Sequence, residues 1–140
     1  MVSMIGQGAT VYLDANAIIY LTEGDSALKA SMEEILSEIQ HAAARVITSE
    51  LTFTEILVLP FRTKNSELIM AYESLTNTFV EPIPIGRKEL FLAAKLRADT
   101  LRLRTPDALH LATAILSGAD IFVTGDAGLF IPAPMKKIIL

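Results

Sequence analysis

At 140 residues the chain has the length of one domain, enough to bury about two-thirds of the surface its unfolded form exposes. It has no cysteine, which excludes disulfides and thiolate metal ligands and fits a cytoplasmic protein. The net charge of −4 by itself argues against a nucleic-acid binder, and no apolar run approaches the ~18 residues of a membrane helix.

The opening MVSMIGQGATVYLD has no basic segment and reaches an acid at Asp14, so it does not read as a secretory leader. TVYL (10–13) is a β-branched and aromatic run that predicts a strand, and DANAIIYL starts a helix directly after it. Over 26–44, Leu28, Met32, Ile35, Leu36 and Ile39 recur at helical spacing. RVIT (45–48) predicts a second strand, and SELTFTEILVLPF a helix that Pro60 ends or kinks. Residues 66–77 are helical. TFVEPIPI (78–85) is extended, with Pro82 and Pro84 confining it to a sheet edge.

RKELFLAAKLRADTLRL predicts an amphipathic helix with its basic residues outward. RTPDALHLATAIL (104–116) predicts a helix that is apolar nearly all round and hence buried, with Thr105 as N-cap and Pro106 as first helical residue. Then come the strand IFVT (121–124), a Gly-Asp turn with a short helix, and KKIIL (136–140) as a fifth strand. Alternating helices and short apolar strands predict an α/β fold spanning 1–140 as one domain. Its central, mostly parallel sheet of about five strands carries helices on both faces, a three-layer α/β/α sandwich.

Acids stand at telling places in this pattern. Asp14 and Asp126 each follow a strand directly, and in open α/β sheets ligands bind outside the carboxyl ends of the strands. Asp107 begins the helix that leads into the strand of Asp126, which taken alone puts it at the opposite sheet edge. Glu55 lies among Leu51, Val58 and Leu59 at helical spacing, where a carboxylate is costly unless it pairs, with Arg62 for instance, or binds a metal. Each acid also has an ordinary structural use: Asp14 and Asp126 as helix caps, Asp107 and Glu50 as first-turn acids worth about 0.3–1 kcal/mol against the helix dipole. Six basic residues lie between Arg87 and Arg104 against Glu89 and Asp99, a local balance of +4. Such a stripe is either a solvated helix face or a footprint for a polyanion.

Taken in order, an apolar strand followed by D-x-N, a lone Glu in an apolar helix, P-D-A-L-H-L-A-T-A and V-T-G-D resemble a PIN domain, the fold of many metal-dependent ribonucleases. The resemblance runs from about Val11 to Phe130 and is most similar in size to the VapC-type toxins of toxin–antitoxin pairs. It implies one acidic cluster of Asp14, Glu55, Asp107 and Asp126, which would be both the metal ligands and the catalytic set. It further implies Asn16 as polar companion of the first acid, Thr124 as the residue that orients the last, and RNA cleavage leaving a 5′-phosphate and a 3′-hydroxyl. Gly125 departs from the family, which often has a basic or larger residue there. His110 has ligand spacing but reads as an amphipathic residue of a packed helix, and the resemblance gives it no role.

Converging carboxylates cannot all stay ionised without cations between them, and all-oxygen ligands select hard ions, Mg²⁺ or Mn²⁺, one or two in number. Arg97, Arg102 and Arg104 would then contact the RNA backbone. A 51% hydrophobic content and a mean hydropathy of +0.44 suggest a subunit interface, hence a homodimer, and a toxin implies a cognate antitoxin. Three alternatives stand beside this reading. A haloacid-dehalogenase-like phosphatase needs an Asp where Asn16 stands, a receiver-like signalling domain needs paired acids after the first strand, and an inert PIN-like binding module needs no acids at all.

Overall fold

The computed structural model of the protein describes residues 4–24 and 26–140. Its strands are β1 (Thr10–Leu13), β2 (Arg45–Ser49), β3 (Glu81–Ile83), β4 (Ile121–Thr124) and β5 (Lys136–Ile139). They form one sheet in the order β3-β2-β1-β4-β5, and every neighbouring pair is parallel. The helices are α1 (Ala15–Glu23), α2 (Ser26–His41), α3 (Leu51–Ile56), α4 (Val58–Arg62), α5 (Ser66–Thr78), α6 (Arg87–Asp99) and α7 (Thr105–Leu116).

Alternation along β1 explains the three layers. Val11 and Leu13 face one way with Val46, Ile121 and Val123, onto Ile18 of α1, Met32 and Ile35 of α2 and Tyr72 of α5. Tyr12, Ile47 and Phe122 face the other way, onto Leu111 and Ala114 of α7. Side chains of this size, fully buried, each contribute about 1.5–3 kcal/mol, so both faces need helical cover. Ala93 of α6 meets Ala108 and Ala112 of α7, where small side chains let the two helices approach closely.

Several local expectations change. The second helix ends at His41 rather than running to residue 44, and Ala43 takes φ 49 as the chain turns toward β2. The Leu28 side chain, expected on its apolar face, lies outside the described residues. Pro60 does break its helix, at Leu57: lacking an N–H, it cannot bond the Ile56 carbonyl, so α3 ends there and α4 restarts. Val58 and Leu59 beyond the break are 49% and 61% exposed, so the apolar stripe expected around Glu55 is not core. In α7 the Ala108 N–H reaches the Arg104 carbonyl at 2.9 Å, which makes Arg104 the N-cap in place of Thr105. After β4 there is a turn instead of a short helix, because the Asp126 carboxylate captures the Gly128 N–H at 2.8 Å. Among the described residues no helix is long and apolar enough to cross a membrane.

Candidate active site

Strand order reverses at β1, with β2 on one side and β4 on the other. The crevice at the carboxyl ends of β1 and β4 is therefore the expected ligand site. Leu13 pairs with Val123, so β1 ends one residue short of β4 and both strands deliver their following acids to one edge. Asp14 caps α1, its Oδ1 accepting the Ala17 N–H at 2.9 Å. Asn16 is exposed in the first turn of that helix.

Thr124, fully buried at the end of β4, touches both acids of this edge. Its hydroxyl hydrogen-bonds the Asp14 carboxylate, and its Oγ1 accepts the Asp126 N–H at 3.0 Å. At Gly125 a Cβ would lie 3.1 Å from the Tyr20 ring, so the family's larger residue has no room here unless that ring moves.

Asp107 is not at the opposite edge. A crossover helix between parallel strands returns antiparallel to them, so its start, not its end, lies at their carboxyl ends. The far end of α7 leads to Asp120, whose N–H bonds the Thr10 carbonyl at the beginning of β1 (2.8 Å). At the near end, Asp107 and Asp126 line one cavity.

Glu55 pairs with His110 rather than Arg62. Nε2 of His110 lies 2.5 Å from Glu55 Oε1, and Nδ1 lies 2.5 Å from the Tyr12 hydroxyl. Burial pushes the Tyr12 phenol well above its ordinary value, and the charges of Asp14 and Glu55 push it further. The phenol therefore keeps its proton, and the imidazole bridges it to the Glu55 carboxylate through its two ring nitrogens. Phe122 stacks on Tyr12 at 4.8 Å, and the His110 ring stands edge-on at 5.8 Å. The connected groups run from the sheet interior to Glu55, whose side chain is 34% exposed. His110, expected to be an amphipathic residue of a packed helix, is instead a buried ring bonded at both nitrogens, and Tyr12 had no expected role. The available signal was a histidine in an otherwise uncharged helical run, because a buried imidazole needs partners for both nitrogens.

The acids feel one another. Burial raises Asp14, against bonds from Thr124 and Ala17, and the Glu55 charge adds to the rise. Burial also raises Asp107, against Arg104 and His110, while Asp126 and Glu55 push it higher. Glu55 thus reaches both Asp14 and Asp107, and Asp107 reaches Asp126. Among the described residues no three such side chains close into a ready-made cation cage. The coupled donors are nonetheless carboxylate oxygens, with the imidazole nitrogens already engaged, and donors of that kind fit a hard divalent cation. A carboxylate has about four lone-pair sites, so the His110 bond leaves Glu55 free to ligate. Of the arginines, Arg102 lines the cavity of Asp107 and Asp126, and Arg104 acts on Asp107. Arg97 instead donates to the Leu103 carbonyl at 3.2 Å.

An open parallel α/β sheet with carboxylates gathered where strand order reverses defines the class of fold. The PIN domain model matches residues 11–131, and the chain belongs to the PIN domain family. A toxin–antitoxin complex from Klebsiella pneumoniae is similar with a TM-score of 0.63 and 22% identity, covering 90% of this chain and 94% of that one. VapBC2 from Rickettsia felis, bound to a DNA fragment from its promoter, gives 0.69 and 18%, covering 84% and 88%. VapBC-1 from nontypeable Haemophilus influenzae gives 0.66 and 22%, covering 84% and 87%. At these identities the likeness is one of fold. No curated protein sequence matches the chain.

Proposed function

We propose that the protein is a metal-dependent endoribonuclease and the toxin of a toxin–antitoxin pair. What supports this reading most is a PIN fold in which the charge of Glu55 reaches both Asp14 and Asp107, that of Asp126 reaches Asp107, and burial raises Asp14 and Asp107. These four carboxylates would hold Mg²⁺ or Mn²⁺, which when bound polarises the phosphodiester and offsets charge on the attacking and leaving oxygens. The chain's own groups do the positioning. Thr124 holds Asp14 and the backbone of Asp126, His110 holds Glu55, and Arg102 and Arg104 present cations to the phosphates.

Incubation with RNA and Mn²⁺, beside an aryl-phosphate assay, tests the reaction. RNA is cut, chelator stops the cutting, and the aryl phosphate is untouched. Aryl-phosphate hydrolysis without RNA cleavage would favour a phosphatase. Replacing Arg102 and Arg104 together by Ala weakens RNA binding evenly across sequences and flattens its salt slope by about 1.4, at roughly 0.7 per phosphate contact on a single strand. Mn²⁺ affinity does not fall, because only cations are removed. An unchanged salt slope would reduce the basic stripe to a solvated face.

The partner half of the proposal rests on exposed apolar side chains. Val58, Leu59 and Phe61 of α4 and Met70 of α5 are all about half exposed or more, a surface suited to an antitoxin's apolar segment. An Arg or Lys on that segment would pair with Asp14 or Asp126 and shut the site. The remaining apolar surface suits a homodimer.

A further inference from the structure

A recess of about 180 Å³ opens beside the acids. Asp107 and Asp126 form part of its wall, and Leu96, Leu103, Leu129 and Phe130 supply apolar surface, with Arg102 alongside. Phe130 is 71% exposed although it lines the recess, so its ring is available to a ligand rather than used by the core. We propose that the recess receives the base of a nucleotide flanking the scissile phosphate, stacked on Phe130, while Arg102 pairs with a neighbouring phosphate.

The inference rests on the endoribonuclease reading and names a substrate subsite within it. A phosphodiester held at the acids carries a base one sugar away on either side. Those bases must come to rest within a nucleotide's length of Asp107 and Asp126, and this recess shares both residues. An aromatic face beside a cation matches a flat, apolar base joined to an anionic phosphate, and stacking on such a ring stabilises binding with any of the bases. The apolar side chains of α4 and α5 share no residue with the recess, so they present a separate surface for a protein partner.

The experiment is a mutational cycle on an RNA oligonucleotide with one mapped cut site, cleaved with Mn²⁺. One strand is intact, and others carry an abasic sugar at each position flanking the cut. The parent loses about tenfold in kcat/KM at one flanking position, the loss expected of one stacked base. Phe130→Ala loses about tenfold on the intact strand and nothing more on the abasic one, while Phe130→Tyr keeps the parent pattern. Because the ring is exposed, all three proteins unfold at similar temperatures. Independent, multiplying losses would show that Phe130 and the base never touch, and would overturn the subsite. Unchanged cleavage with a dimer turned monomer by Phe130→Ala would assign the recess to a second copy of the chain, and also overturn it. A parent that cuts no RNA defeats the ribonuclease reading itself, and the subsite with it.

Discussion

Asp14→Asn abolishes RNA cleavage and at the same time stabilises the protein in chelator. The two effects share one cause. Asn caps a helix about as well as Asp, so the bond from Ala17 and the contact with Thr124 survive the change. What disappears is a charge that burial and Glu55 both disfavour. In chelator the folded parent bears that cost, and each kcal/mol relieved raises the unfolding midpoint by about 3–5 °C in a chain of this size. The sign fixes the pH window. Folded Asp14 holds its proton more tightly than unfolded Asp14, so its ionisation lowers stability. The loss is absent below the ordinary value of 3.8 and grows as pH rises through the raised folded value. Unfolding in chelator at several pH values therefore shows the variant drawing ahead of the parent above about pH 4. Cleavage falls about a hundredfold or more, the loss of several kcal/mol of charge stabilisation. A variant that still cuts RNA, or that is less stable than the parent at neutral pH in chelator, contradicts the cluster.

His110→Ala produces the second large effect, and it has two parts. The ring is buried with both nitrogens engaged, so its removal leaves a cavity and takes one hydrogen-bond partner from the buried Tyr12 hydroxyl. That combination costs about 2–5 kcal/mol of stability, read as a lower unfolding midpoint. It also frees Glu55 to swing out to solvent, and Mn²⁺ affinity falls by about 10–100-fold, as when a group that holds a metal-binding carboxylate is lost. Tyr12→Phe separates the parts. It removes only the hydroxyl, costs about 1 kcal/mol and leaves the Nε2–Glu55 bond in place, so most of the Mn²⁺ affinity survives. Equal Mn²⁺ affinity in parent and folded His110→Ala would make the histidine a packing residue alone.

What could be read from the chain divides along a physical line. TVYL, RVIT and IFVT announce themselves because a parallel strand buried on both faces is a continuous apolar run. Pro60 reports its break because a missing N–H acts locally. The edge at which Asp107 lies does not follow from its position before β4 alone, because it depends on the direction in which the crossover helix runs against the parallel strands. For Glu55 the chain suggests solvent or a sequence neighbour such as Arg62, while its partner His110 lies 55 positions away on another element. Spacing could not find it, because the bond exists only once α3 and α7 pack. Asp14, Asp107 and Asp126 each have a sufficient local excuse as a cap or first-turn acid. Their coupling, Asp126 to Asp107 directly and Asp14 through Glu55, arises only once the strands are ordered and α3 and α7 pack onto them.

The central claim is that these carboxylates form one cation site, and calorimetric titration of metal-free protein with Mn²⁺ tests it most directly, parent beside Asp107→Asn. Asp107 is the informative choice because it is the acid coupled to both Glu55 and Asp126. The account predicts saturable binding to the parent, a matching rise in its melting temperature, and affinity about tenfold or more weaker in the variant. Absence of saturable binding to the parent, or equal binding by both proteins, would contradict it.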